Sequence, residues 1–226
     1  MLNCIISIYH STHIGTKFYR SKELLEFLKN EEFDQLILAG DIIDFIKIPV
    51  FTKRCLEILK CIGEKKDVIY LSGNHDNVSG LDGESFSNIK FCKRYEFVDG
   101  ERKFRIEHGD DYDKGWLSGR LLVIFISVCQ QILEFAYNFD FTSWWSEKQI
   151  KKHKLRNVID ILKVNDDTDV FIMGHNHNPE AIVWIHPDRD IKTYINCGDW
   201  VSHQTYVEII DGVARLKEFK SESSNK

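Results

Sequence analysis

Four absences narrow the reading of this sequence before any motif is considered. Positive charge is not in excess: 30 Lys and Arg stand against 35 Asp and Glu, leaving a net charge of -5. A general nucleic-acid binder, which draws affinity from a basic face that releases counterions, is therefore not expected. The six cysteines, Cys4, Cys55, Cys61, Cys92, Cys129 and Cys197, include no CxxC pair, and no leader with a basic start and an apolar run precedes the first apolar segment. Both absences give the expectation of a reducing, cytoplasmic setting in which the cysteines serve as small core residues. Long apolar runs are missing too. The longest, Leu121 to Cys129, falls well short of the roughly 20 residues of a membrane span.

What is present fits one domain with a full-sized core: 226 residues, 43% hydrophobic and 29% charged. Short β-branched runs recur, each ending in a polar cluster: CIISI before His10, Gln35 to Asp41, Val68 to Asp76, Lys103 to Asp110, and Asp169 to His177. Between the first three lie Ser21 to Lys29 and Phe51 to Ile62, with apolar residues at the three- and four-residue spacing of helices. Strand and helix in alternation imply a layered α/β fold. The runs are nearly continuously apolar, as strands buried on both faces are. After Ile185, KTYINC and TYVEIIDGVARLKEF, broken at Asp211-Gly212, read as strands closed by a hairpin. The expected domain spans residues 1–219, with a helical insert at about 115–156 placed after the fourth strand and a flexible tail at 220–226.

The polar residues crowd at one end of the strands. They are Ser11 and His13; Asp41 and Asp44 in GDIID; Asn74, His75 and Asp76 in GNHD; His108 and Asp110 in HGDDYD; and His175 and His177 in GHNH. A lone histidine at a strand end is usually a satisfied polar residue, and GDxxD alone is a common turn. The weight rests on the set. Imidazoles, a carboxylate and a side-chain amide converging on one sheet edge form a mixed nitrogen and oxygen site of the kind that binds Mn, Fe or Zn.

GDIID, GNHD, HGD and GHNH resemble the motifs of the calcineurin-like metallophosphoesterases, from the first strand to near Gly212. The resemblance implies a layered β-sandwich flanked by helices, with the insert as a helical cap. It also implies two divalent ions, Mn2+ foremost, with Fe, Zn or Mg as alternatives. Asp41 would bridge them, Asn74, His108 and His175 would hold one, and His13 and His177 the other. His75 would face the scissile phosphate as charge stabiliser or proton donor, oriented by Asp76. Two such ions activate water and neutralise phosphate oxygens, so no protein nucleophile is needed. The C-terminal YINCGDWV resembles the subgroup containing the UDP-2,3-diacylglucosamine diphosphatases. This implies hydrolysis of a phosphodiester or pyrophosphate bond in a nucleotide-linked or lipid-linked substrate. The apolar insert and the basic run Lys148 to Arg156 would then hold acyl chains or rest on the inner face of a membrane.

One position departs from the family. Where Asp-x-His follows the first strand, this chain has Ser11-Thr12-His13. A serine hydroxyl is a weak neutral ligand, so the ion of His13 and His177 is expected to be impaired. That leaves two other readings open, a one-metal phosphomonoesterase and a silent member that binds a phosphorylated ligand or a partner protein. Alternation along an extended segment puts Ser11 and His13 on one side and His10 on the other. Only a turn beginning at His10 would swing it inward; otherwise it is a surface or supporting residue. Asp44 is read as a supporting or capping carboxylate and Asp110 as a support of the His108 loop. Asp111 and Asp113 are read as solvated. Asp199 and Trp200 would fix the site floor, or Trp200 would be core. His153, His186 and His203 belong to no motif.

Overall fold

The computed structural model describes residues 5–76, 78–112, 120–138, 158, 160–163, 167–185 and 191–221. The chain opens with β1 (Ile6–Tyr9), α1 (Ser21–Asn30), β2 (Gln35–Leu38), α2 (Lys53–Gly63) and β3 (Val68–Leu71). β1, β2 and β3 pair in parallel, and α1 and α2 supply the crossovers. Each helix buries one stripe: Leu24, Phe27 and Leu28 in α1, and Cys55, Ile58 and Ile62 in α2. Thr52 caps α2, its side chain accepting from the Cys55 amide.

Four strands were not anticipated from the apolar runs. β4 (Ser85–Phe86), β5 (Ile89–Cys92) and β6 (Arg94–Asp99) come before β7 (Arg102–Glu107), and β9 (Glu180–Ile185) follows β8 (Val170–Met173). The strand ahead of His108 is thus the seventh, not the fourth. Three of the four lie at sheet edges, and all four have side chains left partly or wholly exposed. They therefore lack the continuous apolar signature of the central strands. β10 (Ile191–Asn196), β11 (Thr205–Ile210) and β12 (Val213–Glu218) complete the set.

The strands form two sheets, ordered β12-β11-β1-β2-β3-β5-β4 and β6-β7-β8-β10-β9. Between them lies an apolar layer of Ile6, Ile8, Ile37, Ile69 and Val207 from the first sheet and Phe104, Ile106, Val170, Ile172 and Ile195 from the second. The opposite face of the first sheet carries Tyr9, Leu36, Leu38, Val68 and Tyr70 under α1 and α2. The outer face of the second buries Phe171, Met173 and Tyr194 against Val158, Ile161 and Leu162. Burial on both faces explains why the central strands read as unbroken apolar runs. Cys55 and Cys197 are buried free thiols, while Cys61, Cys92 and Cys129 are partly exposed.

β11 and β12 form the expected hairpin. Asp211 and Gly212 both take left-handed backbone (φ 51° and 75°), the combination a tight primed turn requires. The Gly212 amide donates to Asp99 Oδ2 at 2.6 Å, joining this turn to that of β6 and β7 in the other sheet. Ser221, placed in the expected tail, is buried and donates to Glu26 Oε2 at 3.0 Å.

Of the insert, α3 (Arg120–Tyr137) is described and the remainder lies outside the described residues. α3 meets the segment after Asp44 through a polar seam. Lys47 pairs with Glu134 at 2.9 Å, both buried. Gln131 accepts from the Ile48 amide (2.9 Å) and donates to the Ile48 carbonyl (2.8 Å). Phe45, Ile48, Val50 and Phe51 on that segment, and Phe125, Ile132, Leu133, Phe135 and Tyr137 on α3, are exposed. No helix among the described residues is long and apolar enough to cross a membrane.

Candidate metal centre

The site forms where β1, β2, β3, β7 and β8 end. Past β1 the chain stays attached to the β2 end: the Ser11 amide donates to the Gly40 carbonyl, and those of His13 and Ile14 to the carbonyls of Asp41 and Ile42. Ser11, His13 and Asp41 all take left-handed backbone, at φ 48°, 46° and 56°. That conformation is uncommon for side chains other than Gly, Asn and Asp, and a functional site is where it tends to persist. Gly73 lies against the Asp41 carboxylate, and a Cβ there would overlap it. The glycine of GNHD is therefore needed for close approach.

Asp76 wires the loops together. Its carboxylate accepts from the amides of Asp41 (3.1 Å), Ile42 (2.7 Å) and Gly73 (2.9 Å) and from the Tyr70 hydroxyl (2.6 Å). None of these is His75, so the expectation that Asp76 orients His75 is corrected. The carboxylate beside His75 is that of Asp44, whose Oδ1 lies 3.2 Å from His75 Nδ1 as an ion-pair contact. Asp44 Oδ2 lies 3.2 Å from His13 Nδ1, and Oδ1 also accepts from the Ile46 and Lys47 amides. One carboxylate thus sets both imidazoles and the following turn. Sequence spacing hid this because the partners lie 31 residues to either side.

Two groups of ligand atoms share Asp41. In the first, His108 Nε2 lies 2.8 Å from Asn74 Oδ1, 3.2 Å from His175 Nδ1 and 3.4 Å from Asp41 Oδ2. In the second, His13, Asp41 and His177 offer atoms all within 4.8 Å of one another. The His13 and His177 rings stack with centroids 5.3 Å apart, and His177 Nδ1 is 3.5 Å from Asp199 Oδ2. Asp199 itself accepts from the amides of Val201, Ser202 and His203 and so is fixed in place. The six residues expected as metal ligands are brought together.

His10, left open as a surface or a supporting residue, takes the supporting place, although alternation turned it away from the site. It is fully buried and faces the site, its Nε2 2.7 Å from His108 Nδ1. The alternation argument failed because β1 points His10 into the inter-sheet layer after Ile6 and Ile8, and that layer opens upward onto the site. The left-handed turns at Ser11 and His13 then bring His13 to the same place. Trp200 is core, packed edge-on against Tyr9, whereas Asp199 does support the site. His203 sits 3.3 Å from Asp199, Asp111 pairs with Lys93 at the surface, and Asp113, His153 and His186 lie outside the described residues.

Electrostatics divide these groups. Burial lowers the pKa of His10, of His177 and of His108, the last to about 3, so these rings are neutral with a free lone pair at neutral pH. Burial alone would raise Asp41, but His108, His75, His13 and His10 together hold its carboxyl well below the usual range. Burial opposes charge on His75 as well, yet Asp41 and Asp44 prevail and raise it to about 9. Neutral imidazoles, an ionised carboxylate and an amide oxygen are a donor set that fits borderline divalent ions. His75, by contrast, is held as a cation.

The profile of the calcineurin-like phosphoesterases matches residues 7–192, and the chain belongs to that family of metallophosphoesterases. No curated protein sequence matches it significantly. Among solved structures it is similar to a novel archaeal phosphodiesterase at 14% identity, covering 95% of this chain and 99% of that one, TM-score 0.49. It is similar to YfcE, a phosphoesterase from E. coli, at 12% identity with 96% and 100% covered, TM-score 0.46. It is also similar to Vps29 from Entamoeba histolytica complexed with zinc, at 13% identity with 96% and 99% covered, TM-score 0.42. Likenesses this distant carry no argument about what this chain does.

Proposed function

We propose that this chain hydrolyses a phosphodiester or pyrophosphate bond with two divalent ions, and that Asp41 bridges them. The observation that carries the reading is the membership of Asp41 in both groups of ligand atoms. Asn74, His108 and His175 complete one group, and His13 and His177 the other. Ions bound there supply Lewis acidity to phosphate oxygens and activate water. The protein's own part is to hold and to protonate. His75, kept cationic by Asp41 and Asp44, faces the charge that develops on the phosphate and gives a proton to the leaving oxygen. Asp76 holds the Asp41 loop rigid, so the shared carboxylate does not drift between the two groups.

For the substrate, the YINCGDWV segment and the exposed apolar residues of α3 and of 45–51 favour a nucleotide-linked, acylated molecule of the UDP-2,3-diacylglucosamine type. The chain would then work at the inner face of a membrane, with Mn2+ the first ion to try and Fe, Zn and Mg the alternatives. The test is turnover of bis-(p-nitrophenyl) phosphate and of UDP-2,3-diacylglucosamine by protein loaded with each ion. Chelator-sensitive turnover of both is expected. Turnover of the first alone would remove the lipid-linked substrate, and turnover of neither would sink the enzyme.

Ser11 supports a second reading, a member that binds a phosphorylated ligand without turnover. Its mark is thermal stabilisation by the uncleaved substrate, with activity appearing in Ser11→Asp.

A further inference from the structure

The residues at positions 10 and 11 form a unit that the metal reading leaves unused. His10 is fully buried, and a Cβ on Gly174 would overlap its ring, so the glycine of GHNH leaves the space that the ring fills. Its nearest polar neighbours are two. Nε2 lies 2.7 Å from His108 Nδ1, and the Ser11 hydroxyl reaches the same ring, in contact with Nδ1 and 3.1 Å from Nε2. The His10 and His108 rings have centroids 4.7 Å apart and planes 27° apart, and their closest nitrogens are the 2.7 Å pair.

A neutral imidazole has one N–H and one lone pair, so one assignment fixes the chain. The inference rests on the proposal above that His108 holds an ion through Nε2. Its Nδ1 must then carry the proton, and that proton needs an acceptor. The Ala39 carbonyl is 3.3 Å away, whereas His10 Nε2 is at 2.7 Å. Nε2 of His10 therefore accepts, its Nδ1 carries the hydrogen, and Ser11 Oγ receives it.

We propose that His10 is a positioning residue for His108, accepting from its Nδ1–H and so aiming the Nε2 lone pair at the ion, with Ser11 fixing the tautomer of His10. Metal-bound histidines commonly rely on a carboxylate or a carbonyl for this. Here an imidazole backed by a hydroxyl does it. Ser11 thus has a task of its own: its side chain turns away from the ions and onto the ring that supports the His108 ion.

The test compares His10→Leu, which fills the space without an acceptor, and His10→Gln, whose amide oxygen can reach the same place. Calorimetric titration with Co2+ and the cobalt absorption spectrum read the ion directly, without turnover. His10→Leu is expected to weaken one of the two ions by about 10- to 100-fold and to alter the cobalt bands, and His10→Gln to recover most of that loss. Unchanged affinity in a folded His10→Leu protein overturns the inference, as does a His10→Gln protein no better than the leucine variant. Should His10→Leu fail to fold, a long-range proton–nitrogen NMR spectrum of the zinc-loaded native chain decides. Protons on Nδ1 of both His108 and His10 support the relay, and a proton on His10 Nε2 excludes it. His108→Ala separates the layers. If that chain binds as many ions as the native one, the metal reading fails and this inference with it. If it loses an ion while His10→Leu does not, only the inference fails.

Discussion

The two halves of the candidate metal centre each bring two histidines to the shared Asp41 and differ in their other oxygen groups. Around His108, Asn74, His175 and Asp41 point oxygen and nitrogen at one place from both sheets. Among the described residues, the carboxylate grouped with both His13 and His177 is the shared Asp41, while Asp44 groups with His13 and His75, and Asp44 and Asp199 stand against the imidazoles of His13 and His177 at 3.2 and 3.5 Å. With serine at position 11, these outer carboxylates lie against the rings of His13 and His177 and not among the atoms grouped with both. An outer carboxylate orients and strengthens a histidine, but it does not neutralise an ion as a direct one does. The His108 half should therefore bind first and bind tighter.

The largest break in that comparison comes from the residue the halves share. Asp41→Asn should cost both ions and drop chelator-sensitive turnover by well over about 100-fold, beyond the usual effect of an outer partner, as read by metal stoichiometry and a diester assay. A variant that still holds two ions would refute the bridge. Next, His75→Asn should lower turnover by about 10²- to 10⁴-fold, the range of a general acid, while leaving stoichiometry unchanged. Ion loss in that variant would make His75 a ligand instead. Smaller again, Ser11→Asp should tighten the weaker ion by about 10- to 100-fold. Titration of native and variant protein with Mn2+ reads it, and equal tightening of both ions would remove the asymmetry.

The smallest effect concerns pH and the metal-free protein. His108 is held near 3 against 6.5 unfolded, so its share of stability is present above about pH 6.5 and is lost as pH falls toward 3. His10 and His177 are lowered too and act in the same direction. His75 behaves oppositely. Raised to about 9, its share is full below about pH 6.5 and is lost as pH rises through 9. Urea midpoints of the native chain should fall on both sides, and His75→Asn should flatten the alkaline limb alone.

The central strands and the cluster at their ends were legible because burial on two faces leaves a continuous apolar run, and the polar residues that follow have nowhere to go but the rim. β4, β5, β6 and β9 were not, because half-exposed strands write no such run. His10 was placed on the wrong side for another reason. Alternation holds only while the backbone is extended, and Ser11 and His13 at φ 48° and 46° end that extension in residues whose identity gives no warning. The role of Asp44 lay beyond any local pattern, since it closes contacts with His13 and His75 across 31 residues each way.

The bond from Gly212 to Asp99 has a consequence for how the sandwich is kept shut. β11 runs antiparallel to β1 and β6 antiparallel to β7, so these turns lie at the end farthest from the site. There the two sheets are riveted by the protein itself. At the near end, the groups that reach across are Asp41 and Asn74 from one sheet and His108, His175 and His177 from the other, and they meet at the candidate metal centre. An ion seated among them would be the second rivet. Loading the centre should therefore do for the upper rim what a turn does for the base, and an ion bound there would double as a fastener.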